Sequence, residues 1–600
     1  MPDLHHRNCR IVVFSLLLSL LFWSEIHAQL PTPTPDHASS GPVSVPDPSW
    51  DRLGHQLYAS WASKDIPYAR TAVPRVRMQS DTVVYGWKGE RVGMEAVLYS
   101  RESTKPLTLR VRGNQSIAPH ASARFVNYVL TDSFRGCGKH PSGYLPYEVN
   151  DMIDVEASQV VGAKTTHPIW VSVEIPRDAR AGKYSLRIEV VDPQGKVVQS
   201  LRLHVGVVDR SLPDPPAYQF QLNFWMQPYA VSRYEGVKNW SPAHFEALRP
   251  YMKMLARAGQ KVATAILFYE PWGEQSNDKF EPMVQTTLRE DSTWAFDYTI
   301  FDRWITFLDS CGIKAQINCF SMVPWDMTFR YVDAKTGQYA YLKTTTGRAD
   351  YRRLWTTFLK DFAAHLREKG WFEKTCIAMD ERGLSAMNDA YRISQEAVPG
   401  IKMALAGNYH ASLVDKLYDY CVAYGQRFTA EDLALRRSRG WVTTTYTACP
   451  DSMPNVCSNN MPSECAYLPI YCIANGFNGF LRWAWMNWTD DPMHDTRFRM
   501  FTPGDTYMVY PGGRSSIRFE RIIEGVEAAE KCRILRAEYA SGHQTEALCR
   551  LDAAIQLFQS GTLATDKTAA QLVNYLQRVL NGLPDDTGLS RFKPEGEALR

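Results

Sequence analysis

The sequence predicts a multidomain protein: an N-terminal antiparallel β-sandwich, a central (β/α)8 barrel of the TIM type and a short helical C-terminal region. Three observations carry that prediction. From Asp81 to Asp209 apolar residues recur at every second position, the period of half-buried strands. The segment SLPDPP (residues 211–216) then breaks any ladder, because proline has no N–H to donate. Beyond it, eight short apolar runs are separated by stretches of helical period, the pattern of a (β/α)8 barrel.

The first 28 residues read as a secretory signal peptide. Arg7 and Arg10 precede the apolar run Ile11–Trp23, and SEIHA offers a cleavage site after Ala28. That run is 13 residues long, short of the roughly 20 needed to cross a bilayer, so no membrane span is expected. The protein is therefore expected to be exported, to the periplasm or the extracellular space. Residues 29–48, rich in Pro, Ser and Thr, read as a semi-extended leader.

Residues 49–212 hold the sandwich. PLTLRVRG, PIWVSVEIP, YSLRIEVVD and SLRLHVGVVD alternate, and the last places Leu201, Leu203, Val205 and Val207 on one face. Residues 213–535 hold the barrel, with candidate strands in FQLNFW, KVATAILFY, IKAQINCF, TCIAMDE, KMALAGN, YDYCVAY, WVTTTYT and GFLRWAW. No G-x-G-x-x-G follows any of them, which argues against an open dinucleotide-binding sheet. Residues 536–600 read as helical, with Leu572, Leu576 and Val579 at i, i+4 and i+7.

Composition excludes several functions. Lys and Arg total 67 against 64 Asp and Glu, so no basic excess exists to neutralise nucleic-acid phosphates. No Walker loop, G-x-S-x-G elbow or H-E-x-x-H motif occurs, and no cofactor or metal is expected. Of the 12 cysteines, Cys449, Cys457, Cys465 and Cys472 are crowded but form no C-x-x-C pair, which favours one or two disulfides over a zinc site. Aromatics stand out: 17 Trp, 30 Tyr and 25 Phe supply both core packing and flat surfaces for a sugar face.

A barrel places its site at the C-terminal ends of the strands. There CIAMDERG ends the fourth candidate strand with Asp380 and Glu381, the one Asp-Glu dipeptide in the chain. Adjacent acids are often merely solvated or salt-bridged, here to Arg382. Neighbours in sequence do not readily flank a glycosidic bond at the spacing of a conventional pair. Adjacency does suit substrate-assisted hydrolysis, in which the sugar's 2-acetamido oxygen attacks the anomeric carbon. One carboxylate would then accept the acetamido N–H, and the other would protonate the leaving oxygen. Substrate-binding candidates are Asn408, Tyr446, Trp483, Trp485 and Trp488 at the tips of the fifth, seventh and eighth strands, with Glu270 after the second. Core packing is the simpler reading for one or two of the tryptophans. A conventional pairing of Glu381 with Glu270 or Glu464 stays open, as does a glycan-binding protein without catalysis.

Several stretches resemble glycoside hydrolase family 123: WKGERVGMEAVLYS, FDYTIFDRWITFLDSCGI, FLKDFAAHLREKGWFEKTCIAMDE, GFNGFLRWAWMNW, GDTYMVYPG and SIRFERIIEGVEAAE. They span Trp87 to Glu530, most of the chain. The resemblance implies a sandwich followed by a catalytic barrel, a carbohydrate substrate and exo-β-N-acetylgalactosaminidase activity. Through the matching Asp-Glu motif it assigns catalysis to Asp380 and Glu381. Arg382 departs from the family pattern, which often has proline there.

Overall fold

The computed structural model describes residues 47–139, 143–559 and 566–584. The expected signal peptide and nearly all of the leader lie outside the described residues, as do the last 16 residues of the helical tail.

Two sheets form the N-terminal sandwich. One has the order Tyr58–Ala62, Arg91–Ser100, Thr165–Glu174, Ala121–Thr131, Tyr147–Ile153 and Ser515–Ser516. The other runs Asp81–Lys88, Val197–Ser211, Gly182–Val191, Leu107–Gly113 and Ser158–Gln159. Leu201, Leu203, Val205 and Val207 are all buried between the sheets, where they pack with Ile188, Val171 and Leu98. The antiparallel expectation holds with one exception: Asp81–Lys88 runs parallel to Val197–Ser211. The two strands are far apart in sequence, so no hairpin dictates their direction.

All eight apolar runs of the second half become parallel barrel strands: Gln221–Phe224, Val262–Ile266, Gln316–Phe320, Thr375–Asp380, Lys402–Gly407, Asp419–Ala423, Val442–Tyr446 and Gly479–Arg482. The first pairs with the eighth. It meets the second through a single bridge, Leu222 to Gln260, so the barrel is nearly closed. Helices cover most of the crossovers, and their apolar stripes face the strands; Trp355, Phe358, Phe362 and Leu366 of Ala349–Glu368 are buried. The fifth unit departs from the pattern, with a single 3-10 turn at Ala411–Leu413 before the sixth strand. Inside the barrel the Asp419 carboxylate accepts from Gln316 (2.7 Å) and Asn318 (3.1 Å), so this buried acid is met by amides.

Insertions after the second and third barrel strands build a small four-stranded sheet, ordered Trp294–Asp297, Gln285–Leu288, Thr328–Asp333 and Gln338–Lys343. Periodicity did not single it out. Helix Ile517–Ser541 is continuous, so the boundary expected at 535/536 falls inside it. It packs against the six-stranded sheet through buried ion pairs: Arg521–Asp65 (2.7 Å), Arg518–Asp151 (2.9 Å) and Lys531–Glu90 (2.5 Å). A disulfide, Cys137–Cys449, ties a sandwich loop to the segment after the seventh barrel strand. Helices Thr545–Gln556 and Asp566–Leu580 close the chain against Pro462–Ala474.

Candidate active site

The fourth barrel strand carries five buried residues, Thr375 to Met379, and surfaces at Asp380. Glu381 follows with φ 47°, a left-handed conformation that is costly for a side chain with a Cβ and is typical of functional turns. Its N–H donates to Ala406 O (2.7 Å), which holds the turn against the fifth strand. Gly407 makes room for it: a Cβ there would lie 3.3 Å from Glu381 Cα. Strand and turn together put the two carboxyls side by side at the barrel mouth.

Their partners are neutral donors. The Tyr446 hydroxyl donates to Glu381 Oε1 (2.7 Å) from the end of the seventh strand. Burial, reinforced by the charges of Glu381 and Asp380, raises the Tyr446 pKa, so the phenol keeps its proton. The Trp325 indole N–H reaches Asp380 Oδ2 (3.3 Å). The Trp272 N–H, buried and without a close hydrogen-bond partner among the described residues, also faces Asp380. Trp272 stacks on Trp225 (5.2 Å between centroids), and both pack on Phe320, which builds an apolar floor. Burial and then the Glu381 charge push the Asp380 pKa up to about 7, against the pull of the Trp325 N–H and Arg382.

The remaining sequence candidates divide. Asn408 is exposed at the end of the fifth strand, and its Oδ1 accepts from Gln426 (2.6 Å). Trp483 is half-buried; its N–H is held by Asp505 Oδ2 (2.7 Å), and its ring lies edge-on to Phe501. Trp485 and Trp488, expected as sugar-stacking walls, have no exposed surface. Trp485 packs on Phe224 and Phe519, while Trp488 packs on Tyr234 and Tyr251 and donates to Val509 O. The strand ends at Arg482, so alternation stops before either residue.

Glu270 sits after the second strand with φ 49°, and its Oε1 accepts the Phe280 N–H (2.7 Å). Burial raises its pKa to about 7. Glu464 is buried and accepts the N–H groups of Met461 and Asn455 at the start of Pro462–Ala474. Sequence reading passed over Trp272 and Trp325. Each follows a proline a few residues past a barrel strand, and that repeated Pro-Trp pair was the available signal.

The catalytic-domain model of glycoside hydrolase 123 matches residues 225–535, and the family's N-terminal-domain model matches residues 61–192. The chain belongs to glycoside hydrolase family 123. Its fold is similar to that of a family 123 glycoside hydrolase from Clostridium perfringens that acts on glycolipid glycans, with a TM-score of 0.81 at 23% identity over 88% of this chain and 98% of that one. A β-glucuronidase from Parabacteroides merdae aligns only weakly, at 9% identity over 79% of this chain and 52% of that one, with a TM-score of 0.28. No curated protein matches the chain. As a family 123 glycoside hydrolase the protein takes a carbohydrate substrate, and the Asp380–Glu381 turn lies within the matched catalytic domain.

Proposed function

We propose that this family 123 hydrolase is an exported, retaining β-N-acetylhexosaminidase that removes β-linked N-acetylgalactosamine from glycans by substrate assistance. One observation carries the reading: two adjacent carboxyls at the barrel mouth, approached by indole and phenol donors and free of any ion pair among the described residues. The acetamido oxygen attacks the anomeric carbon as the glycosidic bond breaks. Asp380 accepts the acetamido N–H, which favours its ionised form and stabilises the charge of the oxazolinium ion. Glu381 gives its proton to the leaving oxygen. The Tyr446 hydroxyl on Oε1 leaves Oε2 as the oxygen that carries this proton. Water then opens the oxazolinium ion and returns a proton to Glu381; two inversions give net retention. No step calls for a cofactor.

Glu270 and Glu464 hold backbone N–H groups, which disfavours either as the nucleophile of a conventional pair. Export is supported by the N-terminal segment and by the Cys137–Cys449 disulfide, a bond of oxidising compartments. The similar Clostridium perfringens enzyme acts on glycolipid glycans, a source of terminal N-acetylhexosamine compatible with this reading.

The test is a panel of 4-nitrophenyl β-glycosides of N-acetylgalactosamine, N-acetylglucosamine, galactose and glucose. Turnover restricted to the acetamido sugars, with tight inhibition by a thiazoline mimic, is expected. Galactoside hydrolysis at a comparable rate, or a sugar adduct trapped on Glu270, would overturn the proposal.

A further inference from the structure

We propose that Arg382 forms an anion subsite beside the catalytic pair, so that preferred substrates carry a sulfate or carboxylate on the sugar that bears the acetamido group; the substrate class rests on the reading above. The guanidinium is fixed at one end and free at the other. Its Nε donates to the Asp380 backbone carbonyl (2.8 Å), and its carbon lies 4.4 Å from the centre of the Trp325 ring, which covers one face. Among the described residues the two terminal nitrogens have no hydrogen-bond partner, and no carboxylate lies within ion-pairing distance. They are not shut away from solvent. Other half-buried arginines of the barrel domain are neutralised, as in Arg514–Asp154 (2.6 Å) and Arg497–Asp495 (2.6 Å).

A planar, pre-positioned fork matches the oxygens of a sulfate or carboxylate, and stacking has already limited its rotamer freedom. Its position selects the sugar over the leaving group. Trp325, the ring beneath the guanidinium, is the same ring that donates to Asp380, the residue given to the acetamido side of the substrate. Glu381, on the leaving-group side, is held instead by Tyr446. Immediately downstream, helix Leu384–Ala397 begins at Gly383 without a side-chain cap, in open space, and adds to the positive potential already set by Arg382. Were Arg382 built only to restrain the Asp380 charge, its fork would face the carboxylate; the bond it makes is to the carbonyl.

The experiment compares the parent enzyme with Arg382→Gln and Arg382→Lys. Substrates are 4-nitrophenyl 2-acetamido-2-deoxy-β-D-galactoside, its 3-, 4- and 6-sulfates, and a neutral sugar carrying a sulfonated aryl leaving group. One sulfated isomer is expected to exceed the neutral glycoside in kcat/KM, by an advantage that shrinks with added salt. Arg382→Gln is expected to lower the sulfated-to-neutral ratio by about 10–100-fold, mainly through KM, with part of it restored in Arg382→Lys. A merely structural role would move both substrates together and leave the ratio alone. An unchanged ratio, no preference for any sulfated isomer, or a preference that follows only the sulfonated leaving group overturns the subsite. Calorimetric binding of the free 2-acetamido-2-deoxygalactose sulfates to parent and Arg382→Gln tests it independently. If no acetamido glycoside is turned over, the hexosaminidase reading fails, while that binding comparison still decides the subsite.

Discussion

Two regions of this molecule gather carboxylates, and they treat them in opposite ways. Between the sandwich and helix Ile517–Ser541, Asp65, Asp151 and Glu90 each meet an Arg or Lys at 2.5–2.9 Å. At the barrel mouth Asp380 and Glu381 meet only indole and phenol N–H and O–H groups, with the nearest cation turned to a backbone carbonyl. A carboxylate locked to a buried cation serves to hold surfaces together. Asp380, held by a neutral donor next to another acid, has its pKa pushed up to about 7 by burial and the Glu381 charge, so its proton can move within the working pH range. Glu95 marks the intermediate case: it is fully buried at the interface, its Oε1 accepts from Asn150 (2.8 Å), and burial raises its pKa well above the usual range.

That contrast can be broken experimentally, most sharply at the catalytic pair. Glu381→Gln is expected to cost about 10²–10⁴-fold in kcat with poor leaving groups and far less with activated aryl ones. Asp380→Asn should slow every acetamido substrate by a similar factor whatever its leaving group; equal sensitivity of the two variants to leaving-group pKa would contradict the division of roles. Next in size, Arg518→Met leaves Asp151 buried without its cation and is expected to lower unfolding stability by about 3–5 kcal/mol in urea titrations. The folded fraction should keep its kcat/KM.

The smallest effect has opposite signs in the two regions. Asp380, with its pKa near 7, binds a proton in the folded state that the unfolded chain has lost, so stability falls as pH rises from about 4 to about 7. Asp380→Asn should therefore be more stable than the parent at pH 8, by roughly 1–3 kcal/mol, and equal to it near pH 4. For Asp154, burial pushes the pKa up, but the hydrogen bond and charge of Arg514 outweigh it and hold the group below its ordinary value. Its contribution is present at neutral pH and lost on acidification. Asp154→Asn should destabilise at pH 8, and thermal melts at both pH values check the pair.

The fold was legible because it is written in short-range pattern. Period-two alternation located strands such as Val197–Ser211, and all eight barrel strands appeared as short apolar runs. The turn at Asp380–Glu381 was visible as an apolar strand ending in two acids. The rest of the site depends on contacts between segments distant in sequence. Trp485 and Trp488 looked like a binding wall because they lie near the tip of the eighth strand, but the strand ends at Arg482, and Phe519 packs on Trp485 while Tyr234 and Tyr251 pack on Trp488. Trp325 and Trp272 went unnoticed because insertions outside the barrel repeat carry them to Asp380. The parallel pairing of Asp81–Lys88 with Val197–Ser211 was equally out of reach, since no local turn encodes it.

Ser515–Ser516, leading into helix Ile517–Ser541, completes the sandwich's six-stranded sheet from the far end of the catalytic domain. The two domains are therefore not interchangeable parts. Cutting the chain at SLPDPP would leave the N-terminal half with an open sheet edge and uncompensated acids, and the C-terminal half with the matching bare arginines. Recombination at that linker would damage both products. The sandwich has to be inherited with its barrel as one evolutionary unit, even though the sequence presents a clean seam between them.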